Sequence, residues 1–174
     1  MMTGDVHLTM TERRAVVRFA VDCAQGVLPE FEAVAPEDAR PREAIAAALA
    51  FADGADRSNL QRTAAFAAHR AARDVATEPA QLAALACGDA SAAAYLHPIA
   101  RATQVGHILR AAACAARVAE VRTSAAGDEV VRALAERAAP PVPEVLARYP
   151  AAPRGRTRLS ELVCALDAAI RDGR

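Results

Sequence analysis

Residues 98–122 read PIARATQVGHILRAAACAARVAEVR, and this stretch decides the fold class. Val105, Leu109, Ala112 and Ala116 recur every three or four residues, which places them along one side of a helix. A break just before it is expected at residues 97–98, because a residue that precedes proline avoids the α region. We therefore predict a long helix from about residue 98 to residue 122.

The same helical pattern extends through the rest of the chain. Residues 9–12 (TMTE) and 58–61 (SNLQ) each have the form of a capping box that opens a helix. Pro29 is expected to interrupt the first of these helices, with residues 28–34 as a short second turn after it. Pro41 suits a first helical turn, and Gly54 suits a helix end. Further helices are predicted at about 58–75, 79–96, 128–138, 145–149 and 157–170, with Gly88 as a weak point of the second of these.

No segment alternates like a β-strand. The prediction is an all-α fold, either an irregular bundle or a solenoid-like stack of seven to eight Ala-rich helices. The 174 residues suit one domain spanning residues 1–174, with a Pro-rich C-terminal extension from about 123 to 174 packed on the rest.

The amino-acid composition favours a helical protein and disfavours nucleic-acid-binding and membrane proteins. Aromatic residues make up only 3% of the chain, while Ala supplies about a quarter of it and favours closely packed helices. The net charge is +0, which argues against nucleic acid as a partner of the whole protein. No signal peptide and no apolar run of membrane-spanning length is evident, so a cytoplasmic protein that does not contact a membrane is expected.

The sequence offers no catalytic or metal-binding constellation. The four cysteines are far apart and form no C-x-x-C motif, so a zinc site is not indicated and no cofactor is expected. His107 and Cys114 are seven residues apart on one predicted helix, about 10 Å along its axis, which is too far for a catalytic dyad. We therefore expect a protein that is not an enzyme.

Arg101 is the most informative charged residue. On the predicted long helix it falls on the apolar face beside Val105 and Ile108, where a charge needs a carboxylate partner. Asp22 and Asp89 are the candidates for that partner. A buried ion pair that fixes helix register is favoured over an anion-binding or catalytic arginine.

Two clusters of basic residues have open interpretations. One combines Arg62, Phe66, His69 and Arg73 on one side of a predicted helix, either as a phosphate- or partner-binding surface or as a plain solvated face. The other is the Pro-rich run 148–158, which holds four arginines and could touch nucleic acid or be a solvated linker. The solvated alternative is favoured for both.

Several short motifs resemble a bacterial family of immunity proteins. The similar segments are AVDCA (20–24), VLPEFE (27–32), DARPREAI (38–45), FADG (51–54) and ARATQVG (100–106). The family usually has Trp where this chain has Phe51. The resemblance begins at about residue 15 and ends at about residues 120–122. The segment after about residue 127 resembles nothing that we recognise.

This resemblance implies a protein of polymorphic toxin systems that binds a cognate toxin domain and neutralises it by occlusion. Asp22, Arg40, Arg42 and Arg101 would then form a structural charge network. An acidic stretch would face a basic toxin, and its residues are Glu30, Glu32, Glu37 and Asp38. The alternatives are a helical scaffold or regulatory interaction module without a toxin partner and, less favoured, an enzyme or nucleic-acid-processing accessory.

Overall fold

The computed structural model describes residues 4–124 and 127–173, and these residues form eight α-helices. In chain order they are α1 (Met10–Glu32), α2 (Arg40–Ala52), α3 (Asn59–Ala71), α4 (Glu78–Ala92), α5 (Val105–Thr123), α6 (Gly127–Glu136), α7 (Val142–Ala147) and α8 (Arg158–Asp172). Two short 3₁₀ turns, Ala93–Tyr95 and Ala102–Gln104, lie between α4 and α5. No β-strand is present in the described residues beyond one isolated antiparallel bridge between Asp5 and Ile99. The all-α prediction is confirmed.

The helix starts follow local hydrogen bonding. Thr9 and Glu12 form the predicted capping box of α1, with the Thr9 amide donating to Glu12 Oε2 at 2.8 Å. Ser58 and Gln61 do the same for α3, with the Ser58 amide donating to Gln61 Oε1 at 3.0 Å. Pro41 lies in the first turn of α2, where a missing backbone N–H costs nothing. These boundaries agree with the sequence prediction.

Several predicted boundaries are wrong, including the end of α3, which lies at Ala71 instead of about residue 75, and the start of α7, which lies at Val142 instead of residue 145. The first helix continues past Pro29 to Glu32, so the proline lies within its last turn instead of ending it. The predicted helix 98–122 begins only at Val105. Residues 98–100 are instead extended against the N-terminal segment, where the Val6 amide donates to Pro98 O at 2.9 Å and the Ala100 amide to Gly4 O at 3.3 Å.

Helix α4 is the centre of the bundle. It packs against α1, α2, α3 and α5, and it is apolar on nearly every side. Its fully buried residues are mostly alanines and a cysteine: Ala80, Ala83, Ala84, Ala86, Cys87 and Ala90. Because these side chains are small, the neighbouring helices approach α4 closely.

Gly88 lies at the closest of these approaches. An added Cβ at Gly88 would lie 2.5 Å from Nε2 of His69 and 3.0 Å from the Ala65 carbonyl oxygen, both on α3. The helix runs unbroken through this position. Gly88 is therefore a packing requirement rather than a weak point of the helix.

The C-terminal helices close the bundle on the α5 side. Helix α8 packs on α5 and α6, and α7 packs on α1 and α8. Leu146, Leu162 and Leu166 are fully buried and belong to the same core as the N-terminal helices. In the part of the chain that the structure describes, no helix is long and apolar enough to cross a membrane.

Candidate functional site

Arg101 is exposed, contrary to the prediction of a buried ion pair. Its backbone is extended (φ −121°, ψ 134°), and its guanidinium makes no hydrogen bond or ion pair with any residue that the structure describes. Because α5 begins four residues later, Arg101 does not share a helical face with Val105 and Ile108. The prediction was wrong because it extended the helix through a segment that pairs with residues 4–6.

The other three residues of the predicted charge network are also separate from Arg101. Asp22 is exposed, and it is its backbone carbonyl that accepts a hydrogen bond, at 3.1 Å, from Arg137 Nη2. Arg40 bridges Asp38 and Asp74, with 2.6 Å from its Nη2 to each carboxylate. Arg42 pairs with Glu32. The structure therefore gives Arg40 and Arg42 local partners that tie the start of α2 to its neighbours, and it does not join the four residues in one network.

The predicted acidic stretch is largely neutralised by arginines. Glu32 and Asp38 are held by Arg42 and Arg40, and the latter contact lowers the pKa of Asp38. Glu30 lies 3.3 Å from Arg122 Nε. Among the described residues only Glu37 of this stretch is exposed with no ionic partner. The stretch is thus a set of ion pairs with one free carboxylate.

A charge cluster joins three helices, and the sequence indicated its carboxylate but not its basic partners. Asp89 on α4 is 8% exposed, and its two oxygens lie 3.2 Å from Nε2 of His69 on α3 and 3.2 Å from Nε of Arg110 on α5. The distance between His69 Nε2 and the Asp89 carboxylate is within the range of an ion pair, but the geometry of this contact is not that of a hydrogen bond. Asp89 was proposed as a partner for Arg101, and the residues that hold it are different. The signal was a carboxylate in the interior of an alanine-rich helix, because a buried carboxylate needs a cation nearby.

A cavity of about 450 Å³ opens beside this cluster. It is lined by His69, Asp89, Ala92, Thr103, Gly106, His107 and Arg110. Burial lowers the pKa of His107, so this imidazole is neutral at neutral pH. The Asp89 carboxylate is paired with Arg110 and contacts His69, so this wall of the cavity is polar.

The thiols near this cavity are poor nucleophiles. Burial raises the pKa of Cys87 to about 12 and also raises that of Cys114. Within residues 4–124 and 127–173 no three His, Cys, Asp or Glu residues are grouped so as to hold a metal ion. The cluster is suited to holding α3, α4 and α5 together and to polar contact with a ligand.

The second notable surface is the outward side of α3 together with the turn that follows it, defined here by Arg62, Phe66, Arg70 and Arg73 and called the α3 face. All four residues are exposed, and Phe66 has 57% of its residue surface in solvent. Arg62 also stacks on Tyr95, with 4.8 Å between its guanidinium carbon and the ring centre. None of the three guanidiniums has a carboxylate partner among the described residues.

The basic run 148–158 is divided by its contacts. Arg148 donates to Glu12 at 2.7 Å and to His7 O at 2.8 Å, and Arg158 pairs with Glu120 and Glu161. The remaining two, Arg154 and Arg156, are exposed. Half of this run therefore holds the fold together.

The structure first defines a broad class: an all-α bundle whose distinctive polar features are surface arginines and two buried carboxylates, Asp89 and Asp167, that are each paired with an arginine. The family is then given by comparison, since residues 6–139 match the model of the family described as Imm-5 like putative immunity protein. That match covers well over half of the 174 residues, and the protein belongs to this family. No curated protein and no solved structure matches the chain.

Proposed function

We propose that this protein binds a cognate bacterial toxin domain in the cytoplasm and neutralises it by occlusion. The observation that carries the proposal is the family match over residues 6–139. Occlusion needs a stable surface of standard interface size rather than turnover chemistry. A bundle centred on a buried α4 and cross-linked by the Asp89 cluster suits such a rigid surface, and the unreactive thiols beside the cavity fit a role in binding.

Growth rescue tests this proposal directly. The protein is co-expressed with a candidate toxin domain chosen from the genes adjacent to its own, and the proposal expects growth to be restored. A helical scaffold or regulatory module without a toxin partner would leave the cells inhibited. Failure of the wild-type protein to restore growth, at an expression level confirmed by immunoblotting, overturns the proposal.

A titration separates occlusion from enzymatic inactivation of the toxin. Purified toxin activity is measured against increasing amounts of the protein. Occlusion predicts that inhibition reaches its end point at a fixed stoichiometry, close to one to one, and does not deepen with time. Progressive loss of activity with the toxin in large excess would indicate turnover and contradict occlusion.

The acidic stretch stays a proposed contact for a basic toxin, tested at Glu37. Three of its four carboxylates already have arginine partners, so a toxin would have to compete with existing pairs. Glu37→Arg changes the one free carboxylate without breaking any of those pairs. A drop in toxin affinity for this variant supports the acidic stretch as a toxin contact, and unchanged affinity excludes it as one.

A further inference from the structure

The α3 face has a composition that differs from the rest of the surface. From residue 57 to residue 73 the chain contains four arginines and no Asp or Glu. At about 100° per residue, Arg62, Phe66 and Arg70 fall within an arc of roughly 80°, and Arg73 follows in the turn after the helix ends at Ala71. The buried residues Ala64, Ala68 and Ala71 lie on the opposite side of α3. One helix thus presents a basic surface with an exposed aromatic ring at its middle.

Elsewhere on the molecule arginines are commonly matched by carboxylates. Arg18, Arg40, Arg42, Arg110, Arg117, Arg122, Arg148, Arg158 and Arg171 all pair with Asp or Glu. The nearest carboxylate after the face, Asp74, is taken by Arg40, and Asp89 is buried. The positive charge of the α3 face is therefore not compensated within the described chain.

Part of this surface is also held in place before any partner arrives. Tyr95 donates its hydroxyl to Ser58 O at 2.6 Å, and its ring is stacked by Arg62 and by Arg57 at 5.1 Å. Restriction of the Arg62 side chain lowers the entropy that binding would otherwise cost. Exposed aromatic and arginine side chains are the residue types enriched at the centres of protein interfaces.

We propose that the α3 face is the docking surface for the toxin and that the toxin presents an acidic surface to it. This inference rests on the proposed function and competes with the acidic stretch as the place of contact, because it requires the toxin surface that meets this protein to be acidic rather than basic. A protein partner is favoured over nucleic acid because Phe66 is the one exposed ring of the face, while Tyr95 is already covered by two arginines. Opposite charge accelerates encounter, and Phe66 adds apolar contact once the surfaces meet.

The test is a comparison of two double charge reversals. Arg62→Glu with Arg70→Glu changes the face, and Arg154→Glu with Arg156→Glu changes two exposed arginines outside it. Each pair alters the net charge by the same amount, and each pair removes no ion pair. Affinity for the toxin domain, with its active site inactivated, is measured by isothermal titration calorimetry. The inference expects a loss of about 100-fold or more for the first pair and less than about threefold for the second.

Phe66→Ser supplies an apolar test in which charge is unchanged. Because Phe66 is mostly exposed, the variant should fold, and the expected loss of affinity is about tenfold. Wild-type affinity should also fall as NaCl is raised from about 0.05 to about 0.5 M, since opposite charges are screened.

The outcomes separate the inference from the proposed function. If the wild-type protein and the Arg62/Arg70 variant both rescue growth and bind equally well, the α3 assignment is overturned while the immunity role stands. Absence of rescue by the wild-type protein overturns both. Comparable affinity for a mixed-sequence DNA duplex, lost on reversal of Arg62 and Arg70, would show that the face binds nucleic acid and would also overturn the inference.

Discussion

Gly88→Ala and Gly26→Ala are the same substitution in two helices, and we expect opposite effects on stability. Alanine in a helix interior is favoured over glycine by about 1 kcal/mol. Gly26 lies exposed within α1, and an added Cβ there meets nothing within 4 Å. Gly26→Ala should therefore raise the free energy of unfolding by nearly that amount.

At Gly88 the same gain is opposed by contact with α3. The new methyl group would overlap the His69 ring, and the 3.0 Å distance to Ala65 O leaves little room for a shift of the backbone. Overpacking of this kind costs about 1–3 kcal/mol. If His69 rotates towards solvent, where 29% of it already lies, its contact with Asp89 is lost at a further cost of about 1 kcal/mol. The net result should be a destabilisation of about 1–3 kcal/mol once the helix gain is subtracted.

Urea unfolding followed by far-ultraviolet circular dichroism measures both variants, because the chain has no Trp to report by fluorescence. Repeating Gly88→Ala in a His69→Ala background removes the ring and should bring the effect of the methyl group to within about 1 kcal/mol of zero. The explanation is refuted if Gly88→Ala stabilises the protein as Gly26→Ala does. It is also refuted if the loss is equally large without the His69 ring.

Two further predictions concern charged residues. Hydrogen bonds from Arg148 and Thr9 lower the pKa of Glu12 from 4.5 to about 2, so the carboxylate stabilises the fold above about pH 5 and loses this effect as pH falls towards 2. Glu12→Gln should cost about 1–2 kcal/mol at pH 7 by urea unfolding, and the difference should vanish near pH 2; a constant difference across this range would contradict the assignment. Arg101→Met should change the free energy of unfolding by less than about 0.5 kcal/mol, since the side chain is exposed. A loss of about 3–5 kcal/mol would instead support the prediction that Arg101 forms a buried ion pair.

The sequence predicted the elements that depend on local chemistry. The capping boxes at Thr9 and Ser58 and the proline in the first turn of α2 involve residues only a few positions apart, so their spacing carries the information. The number of helices and the fold class followed from the same periodicity. Gly88 could be seen as unusual, but its purpose depends on His69, which belongs to another helix.

The failures at Arg101 and in the charge network have one physical origin. Whether residues 98–101 are helical depends on the bridge between Asp5 and Ile99, which joins segments more than 90 residues apart. Likewise, the partner of a carboxylate such as Asp89 is set by which helices meet. A helical wheel shows which side of a helix a residue occupies and is silent about the identity of the neighbouring helix. The pairing of Asp89 with Arg110 rather than with Arg101 could not be read from the sequence for that reason.

The contacts of Arg148 determine how far this protein can be truncated at its C-terminal end. The family similarity ends at residue 139, yet Arg148 secures the start of α1 through Glu12 and His7, and Leu162 and Leu166 of α8 complete the core beside α5. A chain shortened to the recognisable family segment would lose the counterion of its first helix cap and expose a hydrophobic flank to water. The region of shared ancestry and the smallest autonomous folding unit should therefore be different lengths of this polypeptide.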